Sequence, residues 1–155
     1  MANETKHTVA HVLGEITWLL TQTPAFKDMP LSSLEATVMP AILLQQFRIF
    51  YEKAQPVAFA TWATVSDAVD QSLTGKAANG ETATLALAEW KSGPNRWLME
   101  LVSPFATEQN KLKDILLTQI SQTIFGGQPF KACLLDPTTK TKNLAHMNIG
   151  EMGHG

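Results

Sequence analysis

In the run Phe47-Arg48-Ile49-Phe50-Tyr51-Glu52-Lys53-Ala54-Gln55-Pro56-Val57-Ala58-Phe59-Ala60-Thr61-Trp62-Ala63, an aromatic and branched segment gives way to a polar one and then to alternation. Phe47 to Tyr51 has the composition of a strand, Glu52 to Pro56 that of a turn, and Val57, Phe59, Thr61 and Ala63 recur with period two. Period two places successive side chains on opposite faces of a strand. The stretch therefore reads as an antiparallel hairpin, and a hairpin needs further strands or helices to cover its apolar face.

Upstream, Val9, Val12, Leu13, Ile16, Leu19 and Leu20 recur at helical spacing, which predicts an amphipathic helix over 7–21 that stops before Thr23-Pro24. Pro24 and Pro30 bracket a short connection. Ser32 and Glu35 have capping-box spacing for a second helix, which Pro40 should end or bend. Downstream, residues 66–90 are rich in Ala, Leu and polar side chains, with breaks at Gly75 and Asn79-Gly80, and read as two short helices around a loop. Ser92-Gly93-Pro94-Asn95 is a turn, and Arg96 to Val102 is a strand stopped by Ser103-Pro104. Leu112, Ile115, Leu116, Ile120 and Ile124 form the apolar stripe of another helix, ended by Gly126-Gly127-Gln128-Pro129. Phe130 to Leu135 reads as a buried strand, Asp136-Pro137 as a turn, and residues 142–149 as a returning edge strand.

This order predicts an α+β, or mixed α/β, sandwich with one central, mostly antiparallel sheet flanked by helices. With 155 residues, 45% of them hydrophobic, residues 1–155 suffice for a single domain with its own core. The net charge of −2 gives no basic excess of the kind nucleic-acid binders carry. Residues 1–90 hold five Lys or Arg against nine acids and residues 91–155 seven against five, so the later part is the one suited to an acidic partner. The single cysteine, Cys133, cannot form an internal disulfide, and no membrane-length apolar run or signal-like N-terminus is seen. The expectation is a soluble, cytoplasmic protein.

Several segments resemble the toxin-activating lysine acyltransferases: Leu13-Gly14-Glu15-Ile16-Thr17-Trp18-Leu19, Pro40-Ala41-Ile42, Gln55 to Ala63, Glu89-Trp90-Lys91-Ser92-Gly93, Arg96 to Phe105, and Phe130 to Pro137. They stand in the family's order and cover most of residues 10–140. The resemblance implies a GNAT-like fold and transfer of a fatty acyl group from acyl carrier protein to internal lysines of an RTX-type protoxin, with no bound cofactor. It also implies an opening between the strand near 96–102 and that near 130–135, where acyl-pantetheine enters. Pro104 to Lys111 lacks the glycine-rich loop with which ordinary GNAT enzymes hold coenzyme A pyrophosphate, which suits a carrier-protein donor.

Amide formation from a thioester needs a group to take the lysine's proton and donors to hold the carbonyl oxygen. The family uses a histidine and an aspartate. In this chain the histidine position, after Thr23-Pro24, holds Phe26, and the aspartate position holds Glu100. Glu100, Phe26 and Thr23, which matches a small hydroxyl position, are the site residues that the resemblance implies. From composition alone Glu100 is an outward-facing carboxylate on an apolar strand, Lys27 and Asp28 are loop charges, His11 and His146 are structural or surface residues, and Cys133 is a small apolar filler. Arg96, Lys111, Lys113 and Lys131 are the candidate surface for acidic acyl carrier protein, and a solvated face explains the lysines equally. No His/Cys/Asp cluster suggests a metal site. The alternative function is a catalytically silent relative that binds acyl carrier protein, acyl chains or a client. The oligomeric state is open, a homodimer included.

Overall fold

In a computed structural model describing residues 7–79, 81, 84–136 and 141–147, five strands lie side by side in chain order. They are β1 (Phe47–Glu52), β2 (Gln55–Val65), β3 (Asn95–Val102), β4 (Phe130–Asp136) and β5 (Thr141–Met147). All neighbours are antiparallel except β3 and β4, which run parallel because a helix carries the chain back between them. The helices are α1 (Val9–Thr21), α2 (Leu34–Thr37), α3 (Met39–Leu43), α4 (Asp67–Ala78) and α5 (Leu112–Gln119). This is the mixed α/β, GNAT-like sandwich expected from the sequence.

The period of two in β2 sorts its side chains between two apolar layers. Phe59, Ala63 and Val65 are buried on one face, the first among Ile16, Leu19 and Val38, the others among Leu73, Trp90 and Trp97. Ala60 points the other way, into a cluster with Leu98, Leu117, Ile120 and Phe130. α1 begins where Thr8 Oγ1 accepts from His11 N at 3.1 Å and buries Val12, Ile16, Leu19 and Leu20.

The β1–β2 turn is tighter than the sequence reading had it. Glu52 pairs with Gln55, leaving Lys53 (φ 54°) and Ala54 as the tip, so Gln55 and Pro56 belong to β2. Pro56 is tolerated because the register shifts beside it, and proline without its N–H is confined to such irregular or edge positions. Pro40 interrupts the second helix as expected, α2 ending at Thr37. It lies in the first turn of α3, where a missing N–H costs nothing, after the backbone breaks at Val38 (φ −124°). Among the described residues of 66–90 there is one α-helix: Ser66 Oγ accepts from Val69 N at 3.2 Å to start α4, which runs through Gly75, and in place of a second short helix a 3₁₀ turn stands at Leu87–Glu89. Asp67 and Asp70 in the first turn and Lys76 in the last agree with the helix dipole.

α5 continues into a wider π turn, Ile120–Ile124. Its buried stripe is Leu116, Leu117 and Ile120, while Ile115 is 48% exposed, so the core-facing side is rotated by about one position from the sequence reading. β5 answers the expected edge strand. Residues 148–149, the Pro137 turn and the His154 tail lie outside the described residues.

Two irregularities in β3 position the site. Thr61 pairs with Glu100 but Trp62 pairs with Leu98, so Met99 is an extra residue opposite β2, a β-bulge. On the other side, β3 pairs with β4 only at Trp97 with Lys131 and Leu98 with Ala132. Beyond Leu98 the two strands part.

Candidate active site

Glu100 stands at the point where β3 bulges away from β2 and has already left β4. A residue directly opposite another in an antiparallel pair shares its face. Glu100 therefore lies on the face of Thr61, and it enters the walls of two neighbouring cavities. One, of about 70 Å³, lies among α4, the 3₁₀ turn and β3, and is lined by Leu73, Leu85, Trp90, Met99 and Cys133 as well as Glu100. The other, of about 10 Å³, is lined by Leu20, Phe26, Met29, Phe59 and Val102 together with Glu100. Thr37 of α2 is common to both.

Phe26 and Glu100, far apart in sequence, thus meet at one cavity. A tight turn presents Phe26: Phe26 N donates to Thr23 O at 2.9 Å, and Met29 N to Phe26 O at 2.9 Å. The Phe26 ring packs against the cluster of Ile16, Leu20 and Phe59. The Thr23 hydroxyl is occupied in holding this turn, donating to Leu19 O at 2.9 Å at the end of α1. Lys27 and Asp28 are exposed and enter neither cavity wall. His11 pairs with Glu15 at 3.5 Å on the α1 surface, and His146 lies in a separate cleft with Asp70, Arg96 and Lys131.

The four candidate cations do not form one surface. Arg96 and Lys131 sit where β3 and β4 begin, at the paired end of the two strands. Arg96 Nε donates to Pro129 O at 2.9 Å, and Lys131 Nζ reaches Asp70 at 2.9 and 3.1 Å and lies 5.7 Å from the centre of the Trp97 ring. Lys111 and Lys113 lie at the start of α5, which follows the opposite end of β3.

Three polar residues of this region escaped sequence reasoning. Asp70 joins α4 to two strands, accepting from Trp97 Nε1 at 2.7 Å as well as from Lys131. Thr61 is fully buried opposite Glu100, and its hydroxyl has no hydrogen-bond partner among the described residues. The Trp90 indole nitrogen is likewise buried and unpartnered. Leaving such a group unpaired costs about 1–3 kcal/mol. The sequence signal for Asp70 is its place in the first turn of a helix, which names no partner; for Thr61 and Trp90 there is none. Among the described residues no group of three or more His, Cys, Asp or Glu can hold a metal ion, and no helix is long and apolar enough to cross a membrane.

Comparison with known proteins bears on this geometry. The family model described as "HlyC: RTX toxin acyltransferase family" matches residues 5–147. The RTX-I toxin-activating lysine-acyltransferase ApxIC of Actinobacillus pleuropneumoniae is 26% identical over 141 residues, covering 91% of this chain and 76% of that protein. The protein-lysine myristoyltransferase RtxC of Kingella kingae is 30% identical over 124 residues, covering 80% and 68%. The protein-lysine myristoyltransferase HlyC of Escherichia coli is 26% identical over 141 residues, covering 91% and 76%. Since the match runs through every strand and helix of the sandwich, the chain belongs to the RTX toxin acyltransferase family.

Proposed function

We propose that this chain transfers a fatty acyl group from acyl carrier protein to internal lysines of an RTX-type protoxin or a related client. The observation that carries the reading is Glu100, a carboxylate at the bulge of β3, where that strand parts from β4 and an apolar pocket begins. In the reaction the lysine amine attacks the thioester carbonyl carbon, and its proton passes to the Glu100 carboxylate directly or through a water. The carbonyl electrons move onto oxygen, held by strand amides at the Met99 bulge. They return as the carbon–sulfur bond breaks, and the pantetheine thiolate leaves and takes up a proton.

The resemblance assigns Phe26 to the family's histidine position, and a phenyl ring can neither take nor give a proton, so in this reading Glu100 is the group that accepts the lysine's proton. Lys111 and Lys113, near the end where β3 and β4 separate, suit contact with acidic acyl carrier protein better than Arg96 and Lys131, whose groups are engaged at the paired end. The packing of Phe26 into the core favours a second reading, a silent member that binds acyl carrier protein, an acyl chain or a client.

Mass spectrometry of a client incubated with acylated carrier protein separates the two. Glu100→Gln should lower the acylation rate roughly 10²- to 10⁴-fold while leaving the fold intact, the usual worth of general acid–base assistance, and Phe26→His should raise it. An unchanged rate in both variants removes Glu100 and Phe26 from the chemistry. No adduct from the wild type despite measurable binding selects the silent reading.

A further inference from the structure

The fold holds Trp90 firmly and leaves its one polar side-chain atom unused. Its carbonyl accepts from Thr64 N at 2.9 Å and from Gln46 Nε2 at 3.1 Å, and Gln46 is tied in turn to Trp62 O at 2.7 Å. The residue is 2% exposed, yet Nε1 has no hydrogen-bond partner among the described residues. A buried N–H without a partner is rare enough in native structures to need a cause. The nearby Trp97 shows the contrast, since its indole N–H is satisfied by Asp70 at 2.7 Å.

Trp90 shares its pocket wall with Glu100 and Met99, the residues at the bulge, and with the apolar side chains of Leu73, Leu85 and Leu98, while Thr37, Glu81 and Thr84 add polar groups. An indole N–H only donates, so its complement is an oxygen acceptor. A mostly apolar pocket with a buried, unused donor in its wall suits a ligand that carries a carbonyl oxygen on a hydrocarbon body. Resting on the acyl-transfer reading above, we propose that the Trp90 indole N–H donates a hydrogen bond to the thioester carbonyl oxygen of the acyl donor and so holds the reacting carbon beside Glu100.

The test uses the full chain and two soluble probes, S-octanoyl-N-acetylcysteamine and its thioether analogue, which lacks the thioester carbonyl. The assigned Trp90 indole proton should move downfield on saturation with the thioester and respond far less to the thioether. Trp90→Phe should lower kcat/KM for the thioester about tenfold, mainly through KM, the equivalent of one hydrogen bond. An indole resonance that ignores the thioester overturns the proposal, even where Trp90→Phe folds poorly, because that measurement needs only the wild type. A full response to the thioether moves the contact to the pantetheine amide and overturns the thioester assignment. If the wild type acylates no client while its indole resonance still answers the thioester, the transfer reading fails and the contact stands. Acylation with a silent indole gives the reverse.

Discussion

Tyr51, near the tip of β1, donates its hydroxyl to Glu15 Oε1 on α1 at 2.5 Å. Its pKa is pushed up to about 12, first by desolvation, then by the hydrogen bond it donates to Glu15, then by repulsion between that carboxylate and the phenolate. A folded-state value above the ordinary tyrosine value of about 10 means that the contact stabilises fully below about pH 10 and loses its effect as pH rises through about 12. The chain contains one tyrosine, so phenolate absorbance reads this group alone. The midpoint should stand near 12 in the folded protein and about two units lower in denaturant. Glu15→Gln should lower the folded midpoint without abolishing the shift, since desolvation remains. A midpoint near 10 in an intact fold refutes the assignment. At this scale Glu100 stands out as a carboxylate on an apolar strand, a pattern that composition reads as an outward-facing residue and only the resemblance reads as a site. The sequence was silent where meaning comes from a distant partner: Asp70 meets Trp97 across 27 residues and Lys131 across 61.

Among the elements, α1 and the hairpin were legible because each repeats one period long enough to define a face. Pro40 marks the break between α2 and α3, as expected, whereas Pro56 lies inside β2 and not in the turn, because proline marks a break but is accepted on either flank of it, at the start of a helix or beside a bulge. Ser92-Gly93-Pro94 reads as a turn, and the structure adds why glycine is needed there. A Cβ on Gly93 would lie 2.5 Å from Ser66 Cα and 2.7 Å from Ser66 N and Val65 O, all backbone atoms that cannot swing aside. This close approach joins the start of β3 to the end of β2 and the cap of α4, where Ser66 N also donates to Ser92 Oγ at 3.0 Å. Gly93→Ala should therefore destabilise the fold by about 1–3 kcal/mol through overpacking. The check is chemical denaturation, with a lower midpoint at unchanged slope. A loss under about 0.5 kcal/mol shows that the two segments can separate without cost.

For the molecule as a whole, the parting of β3 from β4 that opens the candidate site also leaves the sheet joined there by only two ladder pairs. Other links must hold β4 and β5 against the first three strands. On one face Phe130 and Ala132 share a cluster with Leu98, Leu117 and Ile120; on the other Lys131 reaches Asp70 of α4, which also accepts from Trp97 of β3. Asp70 is thus bonded to both strands at the level where they are still paired, close to the fork. Asp70→Asn keeps an acceptor for the Trp97 indole but removes the charge facing a half-buried ammonium, for which Thr74 Oγ1 at 3.4 Å is a weak substitute. The expected loss is about 1–3 kcal/mol, since a donor is left poorly satisfied in a partly desolvated place. Lys131→Met alone should cost less, because Asp70 retains Trp97. The double variant should lose less than the two single losses combined, as coupled neighbours do. Hydrogen exchange locates the effect: amides of β4 and β5 should exchange faster in Asp70→Asn, while those pairing β1 with β2 keep their protection. Strict additivity, or loss of protection spread evenly over the sheet, shows that α4 does not fasten the fork and that α5 with its apolar cluster holds the two halves alone.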